Sequence, residues 1–171
     1  MKKIILIISV ITLFSACKKD FSVWKEYNEA KYEEYSKNLG QSEGVIDTIR
    51  SSSGLLVEVF HRGQTGITPK LNSIVYCTYS GHLADGTCFD SYVYNTQSLR
   101  SVLVKNTILG WQEILCKMPK GSHFKIYVPY TLGYGKNGTK GNTFMIPPYS
   151  TLVFDIEIVE VVQRDPSDPD Y

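Results

Sequence analysis

The stretch Tyr79-Ser80-Gly81-His82-Leu83-Ala84-Asp85-Gly86-Thr87-Cys88-Phe89-Asp90-Ser91 carries the strongest structural signal in the chain. Asp85-Gly86 is a dipeptide typical of a tight hairpin turn. The residues that lead into it, 73–80, are β-branched or aromatic on both faces, which indicates a central strand. Residues 87–93 predict the strand that returns. The stretch therefore predicts an antiparallel pair of strands in the middle of the domain.

Hydrophobic periodicity on either side of this hairpin completes an α+β architecture. Apolar residues alternate with polar ones from residue 55, in 123–128 and in 151–162, as expected for strands. Residues 108–118 instead place Trp111, Ile114, Leu115 and Met118 at helical spacing, and Pro119 follows them. The sequence predicts an antiparallel sheet covered by one short helix, with a pocket between the helix start and the strands.

Four sequence blocks in this order resemble the FKBP-type peptidyl-prolyl cis-trans isomerases. Residues 79–91 are similar to Y-[ST]-G-x-L-x-D-G-x-x-F-D-S, and Ile108-Leu109-Gly110-Trp111 to V-I-x-G-W. Residues 129–135 are similar to P-x-x-L-A-Y-G, and residues 146–157 to I-P-P-x-[AS]-T-L-V-F-D-[IV]-E. One block alone would be weak, whereas the ordered set is specific and covers about residues 55–162.

The resemblance implies a five- or six-stranded antiparallel sheet curled around one short helix, and an aromatic pocket that binds proline. Carried over position by position, the catalytic pocket consists of Tyr79, Phe89, Asp90, Ile108, Trp111, Tyr134, Ile146 and Phe154. Trp111 would form its floor, and the Tyr134 hydroxyl and the Ile108 N–H would bind peptide carbonyls. Proline-containing polypeptides would be the substrates and macrolides such as FK506 the inhibitors, and no cofactor or metal is implied. From periodicity alone, Trp111, Ile146 and Phe154 could equally be plain core residues.

Some positions depart from the family pattern. Residues 97–104 contain no aromatic side chain, although the family usually has one or two there, so Leu99, Val102 or Leu103 would replace them. Thr107 takes the place of a usual valine, and the loop at residues 136–145 is longer than typical. These changes leave a second hypothesis open, a binding module of the same fold with little or no turnover. A third hypothesis is an envelope structural protein without a ligand.

The amino-terminal segment indicates export and lipid attachment. Lys2 and Lys3 precede an apolar run at residues 4–14, which is short for a membrane span and typical of a signal peptide. Ser15-Ala16-Cys17 resembles a bacterial lipobox, so residues 1–16 are predicted to be a lipoprotein signal peptide and Cys17 the acylated residue. Lys18-Lys19, without an aspartate, favours the outer membrane of the cell envelope. The alternative is an ordinary cleaved signal followed by an incidental cysteine.

The remaining chain divides by composition. Residues 17–44 are predicted to form an anchor or stalk with a helix at 21–39, followed by a linker at 41–54. The helix could be a solvated spacer, or it could serve dimerisation or client docking. Residues 45–162 form the predicted domain, and residues 163–171 form a polar tail.

Charge and cysteine spacing exclude several other functions. A net charge of +1 gives no electrostatic basis for nucleic-acid binding. Cys77, Cys88 and Cys116 show no C-x-x-C spacing, so they do not suggest a zinc site; they could be buried apolar residues, or two of them could form a disulfide. Residues 133–138 fit G-x-G-x-x-G, but two prolines follow instead of a helix, which rules out a dinucleotide site.

Overall fold

A computed structural model describes residues 20–64, 66–92, 99–139 and 145–164 of the chain. The helices are α1 (Ser22–Lys37) and α2 (Leu109–Leu115). The strands are β1 (Asp47–Arg50), β2 (Leu56–His61), β3 (Ile74–Leu83), β4 (Cys88–Tyr92), β5 (Arg100–Leu103), β6 (His123–Val128) and β7 (Leu152–Val162). The predicted signal peptide, Cys17 and the end of the polar tail lie outside the described residues.

The described strands form one antiparallel sheet of seven strands, which confirms the predicted α+β class. The strand order is β1-β2-β6-β7-β3-β4, and β5 pairs with the first half of β3 beside β4. The expected number of five or six strands was too low. Strand β1 lies inside the predicted linker, where it pairs with β2 from Asp47 to Arg50. Its one half-buried residue, Ile49, gives almost no alternating signal, because β1 is an exposed edge strand.

The core lies between the inner face of the sheet and α2. All four residues predicted to face inward from this helix, Trp111, Ile114, Leu115 and Met118, are buried. The helix ends three residues before Met118, because the last turn is tightened: Lys117 and Met118 donate to carbonyls three residues back. On the strands, Phe124, Ile126 and Ile156 have no exposed surface.

Helix α1 packs against the outer face of the sheet and is not a solvated spacer. Its Tyr27 and Tyr35 hydroxyls both donate to the Ala84 carbonyl, at 3.4 and 3.3 Å. The Tyr35 ring stacks on Tyr127 of β6 with centroids 4.6 Å apart. These contacts are mostly polar or aromatic, which explains why the apolar stripe of the helix is narrow.

The connector that follows α1 is fixed by a buried carboxylate on the same outer face. Glu58 of β2 is 1% exposed and accepts hydrogen bonds from the Gly40 N–H, the Ser42 hydroxyl and the Tyr127 hydroxyl. Alternation along β2 predicted a polar residue at this position between two inward-facing valines. The position is covered, and three donors compensate for burial of the carboxylate.

None of the helices in the described ranges combines the length and hydrophobicity that a membrane span needs. Cys77, Cys88 and Cys116 are free thiols, so no disulfide joins them. Cys77 is fully buried, and burial raises the pKa of its thiol to about 12, so it stays protonated.

Candidate functional site

An open cavity of about 330 Å³ lies where the start of α2 meets strands β3, β4, β5 and β7. Its lining consists of Tyr79, Phe89, Asp90, Arg100, Val102, Asn106, Thr107, Ile108, Trp111, Tyr134 and Phe154. Every predicted pocket residue except Ile146 is in this lining. Ile146 is 3% exposed and belongs to the hydrophobic core behind the cavity wall.

Trp111 and two neighbouring aromatic rings form the apolar base of the cavity. The Trp111 ring meets Tyr79 edge to face, with centroids 5.0 Å apart, and Phe154 in the same way at 5.3 Å. The indole Nε1–H is buried and has no hydrogen-bond partner among the described residues. Edge-to-face contacts are among the favoured arrangements of aromatic rings. The cavity therefore has a floor of closely packed aromatic rings.

Gly81 allows two further rings to close one wall. Gly81 pairs with Phe154 on one side and with Asp90, next to Phe89, on the other. The rings of Phe89 and Phe154 are perpendicular, with centroids 5.5 Å apart. A methyl group at Gly81 would lie 2.9 Å from both rings, which is inside van der Waals contact. The glycine of the Y-[ST]-G block is thus required by the close approach of these rings.

Polar groups also line the cavity. The Tyr79 hydroxyl donates to the Asp90 carboxylate at 2.5 Å. Burial, followed by this bond and the Asp90 charge, raises the pKa of Tyr79 far above its ordinary range. Burial and the Asp90 charge also raise the pKa of Tyr134, whose side chain is 38% exposed. Both hydroxyls therefore remain protonated at neutral pH, and that of Tyr134 can donate to a ligand.

Ile108 lines the cavity at the residue that precedes α2. Its backbone is extended (φ −64°, ψ 155°), and its carbonyl accepts from the N–H groups of Trp111 and Gln112. Among the described residues, nothing accepts a hydrogen bond from the N–H of Ile108. That N–H is a second donor available to a bound peptide.

The wall before α2 is more polar than the sequence predicts. Of the three aliphatic residues considered for it, Val102 lines the cavity, whereas Leu99 is 41% exposed and Leu103 is not in the lining. Asn106 and Thr107 complete this side. Thr107 occupies the first position of the V-I-x-G-W block, whereas no motif singles out Asn106, which belongs to the turn that connects β5 to α2.

Arg100 also lines the cavity, and no sequence motif singles it out. It pairs with Cys77 across the β3–β5 ladder, and that register brings it to the rim. Its guanidinium lies over the Tyr92 ring, 5.1 Å from the centroid, and donates to the Tyr92 hydroxyl at 3.4 Å. Tyr92 in turn lies 5.5 Å from Tyr79. A cation and an aromatic ring thus extend the site beyond the cavity itself.

Comparison with known proteins agrees with this geometry. The family model described as FKBP-type peptidyl-prolyl cis-trans isomerase matches residues 65–159, more than half of the chain. The chain belongs to this family. FKBP-type peptidyl-prolyl cis-trans isomerase FkpA of Escherichia coli K12 is 40% identical over 134 residues, which cover 78% of this chain and 46% of that protein. The Macrophage infectivity potentiator of Trypanosoma cruzi is 32% identical, covering 78% and 69%.

Two solved structures share the fold. The crystal structure of FkpA from Escherichia coli has a TM-score of 0.69 and 37% identity, covering 81% of this chain and 61% of that one. A peptidyl-prolyl cis-trans isomerase from Pseudomonas syringae has a TM-score of 0.65 and 27% identity, covering 81% and 96%. The chain spans about half the length of the first curated relatives, at 46%. Helix α1 and strands β1 and β2 lie before the residues that the family model matches.

Proposed function

We propose that this protein catalyses cis-trans isomerisation of X–Pro peptide bonds in exported polypeptides of the cell envelope. The observation that carries the proposal is the aromatic cavity, in which Tyr79, Trp111 and Phe154 surround a space of about 330 Å³. This space accommodates a proline ring with adjoining backbone. Membership in the FKBP-type family supports the same activity.

The cavity suits this reaction because the reaction needs no bond to be made or broken. The barrier of about 18–20 kcal/mol comes from amide conjugation. Twisting the C–N bond reduces charge separation in the amide, so an apolar site favours the twisted state over the planar one. Trp111 would lie under the proline ring. The Tyr134 hydroxyl and the Ile108 N–H would donate to peptide carbonyls and hold the chain while the bond rotates.

The second candidate is a binding module of the same fold with little turnover. The observation that favours it is the polar rim at Arg100, Asn106 and Thr107, together with the lack of an aromatic residue at 97–104, where the family usually has one or two. A wetter wall would reduce the preference for the twisted amide while still allowing a peptide to bind. Macrolides such as FK506 should occupy the cavity in either case.

An isomer-exchange assay separates the two candidates. Uncatalysed X–Pro exchange takes tens of seconds or longer, so even modest catalysis is measurable. We expect the full-length protein in mild detergent to accelerate exchange in peptides with an apolar residue before proline. Peptide binding without acceleration at tens of micromolar protein would favour the binding module. The absence of both binding and acceleration would leave a shared fold without this function.

The proposed location is the membrane surface, through a lipid on Cys17 and with the outer membrane as the site. Support comes from the basic and apolar residues at 2–14 and from Ser15-Ala16-Cys17. A processed lipoprotein carries more than one acyl chain, which is enough for stable anchoring.

A further inference from the structure

Helix α1 is fastened to the segment that leads into β7, here called the lead-in segment (residues 146–151). Asn28 of α1 has no exposed surface. Its Oδ1 accepts the Thr151 N–H at 2.8 Å, and its backbone carbonyl accepts the Thr151 hydroxyl at 3.3 Å. One turn earlier, the Trp24 indole N–H donates to the Ser150 hydroxyl at 3.1 Å. Asn28 Nδ2 donates to the Trp24 carbonyl at 2.8 Å, which joins the two contacts.

Asparagine is a weak helix former, so its place in the middle of α1 needs another reason. A buried side-chain amide is costly unless it is hydrogen-bonded, and here both of its polar atoms have partners. One of those partners is a backbone N–H outside the helix. The buried Asn28 is therefore explained by its hydrogen bonds to Thr151 and not by a contribution to the stability of α1.

The lead-in segment leads into Phe154, a residue that lines the cavity. It begins with the buried Ile146, and Phe154 follows it by three residues. Within it, the Ser150 hydroxyl donates to the Pro147 carbonyl at 2.8 Å. The Trp24 contact thus continues through Ser150 to the turn at Pro147.

The same segment also fixes the loop that carries Tyr134. Tyr149 has a φ of 63°, a conformation that residues other than glycine adopt only when their surroundings hold them there. Its N–H donates to the Gly135 carbonyl at 3.0 Å, next to Tyr134. The Thr139 N–H donates to the Ile146 carbonyl at 2.9 Å, which ties the two segments together a second time. A displacement of the lead-in segment would therefore move both Tyr134 and Phe154.

We propose that Asn28 and Trp24 are positioning residues for the cavity. By fixing the lead-in segment, they set the places of the Tyr134 hydroxyl and the Phe154 ring relative to Trp111. The expected change in isomerisation rate rests on the proposed isomerase function. The expected displacement of Phe154 and Tyr134 rests on the contacts alone. It makes α1 part of the active domain, although the helix precedes the residues that the family model matches.

The kinetic test compares three variants of the full-length protein in mild detergent. Asn28→Ala removes the acceptor for the Thr151 N–H, and Trp24→Phe removes the donor to Ser150 while keeping a ring. Tyr32→Phe is the matched control, because the Tyr32 hydroxyl fastens the same helix to the Gly54 carbonyl and makes no hydrogen bond to the lead-in segment. We expect kcat/KM to fall roughly tenfold in Asn28→Ala, since small displacements of the side chains that contact the substrate lower the catalytic rate strongly. Tyr32→Phe should stay within about twofold at a temperature where all variants are folded.

The structural test uses the indole N–H signals in a nitrogen–proton correlation spectrum. The chain has two tryptophans, and the signal lost in Trp24→Phe assigns both. Because Phe154 lies edge to face with Trp111, its displacement changes the ring-current shift of the Trp111 signal. Asn28→Ala should move that signal, whereas Tyr32→Phe should leave it in place.

The outcomes are separable. An unchanged rate and Trp111 signal in folded Asn28→Ala would overturn the inference, and so would equal effects of Asn28→Ala and Tyr32→Phe. If the wild-type protein shows no turnover, the proposed function fails, and the Trp111 signal alone decides whether α1 positions the cavity.

Discussion

The hydroxyl of Tyr134 is the exposed donor of the cavity, and its removal tests the proposed mechanism at one atom. Tyr134→Phe keeps the ring and deletes the hydrogen bond to a peptide carbonyl. A single such bond contributes about 0.5–1.5 kcal/mol, so kcat/KM should fall by about 2- to 12-fold. Stability should hardly change, because the side chain is 38% exposed and its hydroxyl makes no hydrogen bond with the described residues.

A matched substitution controls for the loss of a tyrosine hydroxyl as such. Tyr27→Phe removes a hydroxyl that donates to the Ala84 carbonyl on the outer face of the sheet. Its isomerisation rate should equal that of the wild-type protein. A Tyr134→Phe variant with unchanged kcat/KM would mean that the carbonyl is held by other groups, such as the Ile108 N–H.

At the scale of elements, hydrophobic periodicity predicted the helices and strands that pack into the core. It did not predict the features that depend on polar contacts, namely the docking of α1 and the edge strand β1. Helix α1 was expected at residues 21–39 and is found at Ser22–Lys37. Its position was predictable because its composition favours a helix regardless of the surface on which it packs. Its docking could not be predicted, since the contacts are made by tyrosine hydroxyls and by Asn28, which leave no periodic signal. Strand β1 was missed for a related reason: an exposed edge strand has few inward residues to reveal it.

The pairing of β6 with β7 contains a side-chain contact that makes stability depend on pH. His123 Nε2 lies 2.7 Å from Asp155 Oδ1, and the His123 ring stacks on Phe60. The hydrogen bond to Asp155 raises the pKa of His123 above 6.5. A raised histidine pKa means that the folded state binds the proton more tightly than the unfolded state. The stabilisation is therefore complete below about pH 6.5 and disappears as pH rises through the folded pKa.

The expected measurement is the free energy of unfolding of the wild-type protein and His123→Gln across this range. The difference between them should be larger near pH 5.5 than near pH 8.5, and modest in size because both side chains are partly exposed. Asp155→Asn should remove the same pH dependence. A difference that stays constant with pH would show that the stacking on Phe60, and not the charge, is what His123 contributes.

For the whole molecule, the sequence predicted the architecture and most of the cavity because the aromatic residues occur in ordered blocks. Residues 79–91 and 146–157 are far apart in sequence, and the β3–β7 pairing brings Gly81 opposite Phe154. The polar rim was beyond prediction, since Arg100 reaches the site only through the register of β5 on β3. Ile146 is buried in the core and is not part of the lining, because its block identifies a segment beside the site but not which side chains reach the open space.

The proposed lipid anchor has a geometric consequence for the whole molecule. Three peptide steps separate Cys17 from Asp20, the first described residue, and they can span at most about 10 Å. Because α1 begins at Ser22 and packs along the sheet, it does not act as a stalk that holds the domain away from the membrane. An acyl chain on Cys17 would therefore keep the whole domain close to the lipid headgroups.

Cys17→Ala tests the anchor directly. The variant should move from the membrane fraction to the soluble fraction or accumulate as the unprocessed precursor, because the thiol that accepts the lipid is gone. Mass spectrometry of the wild-type protein should show a mass increase on Cys17 equal to the attached lipid. Cys88→Ala is the control, since Cys88 is exposed and free and lies far from the amino terminus in sequence. It should remain in the membrane fraction, and a Cys17→Ala protein with the same partition and mass as the wild type would contradict the proposed lipidation.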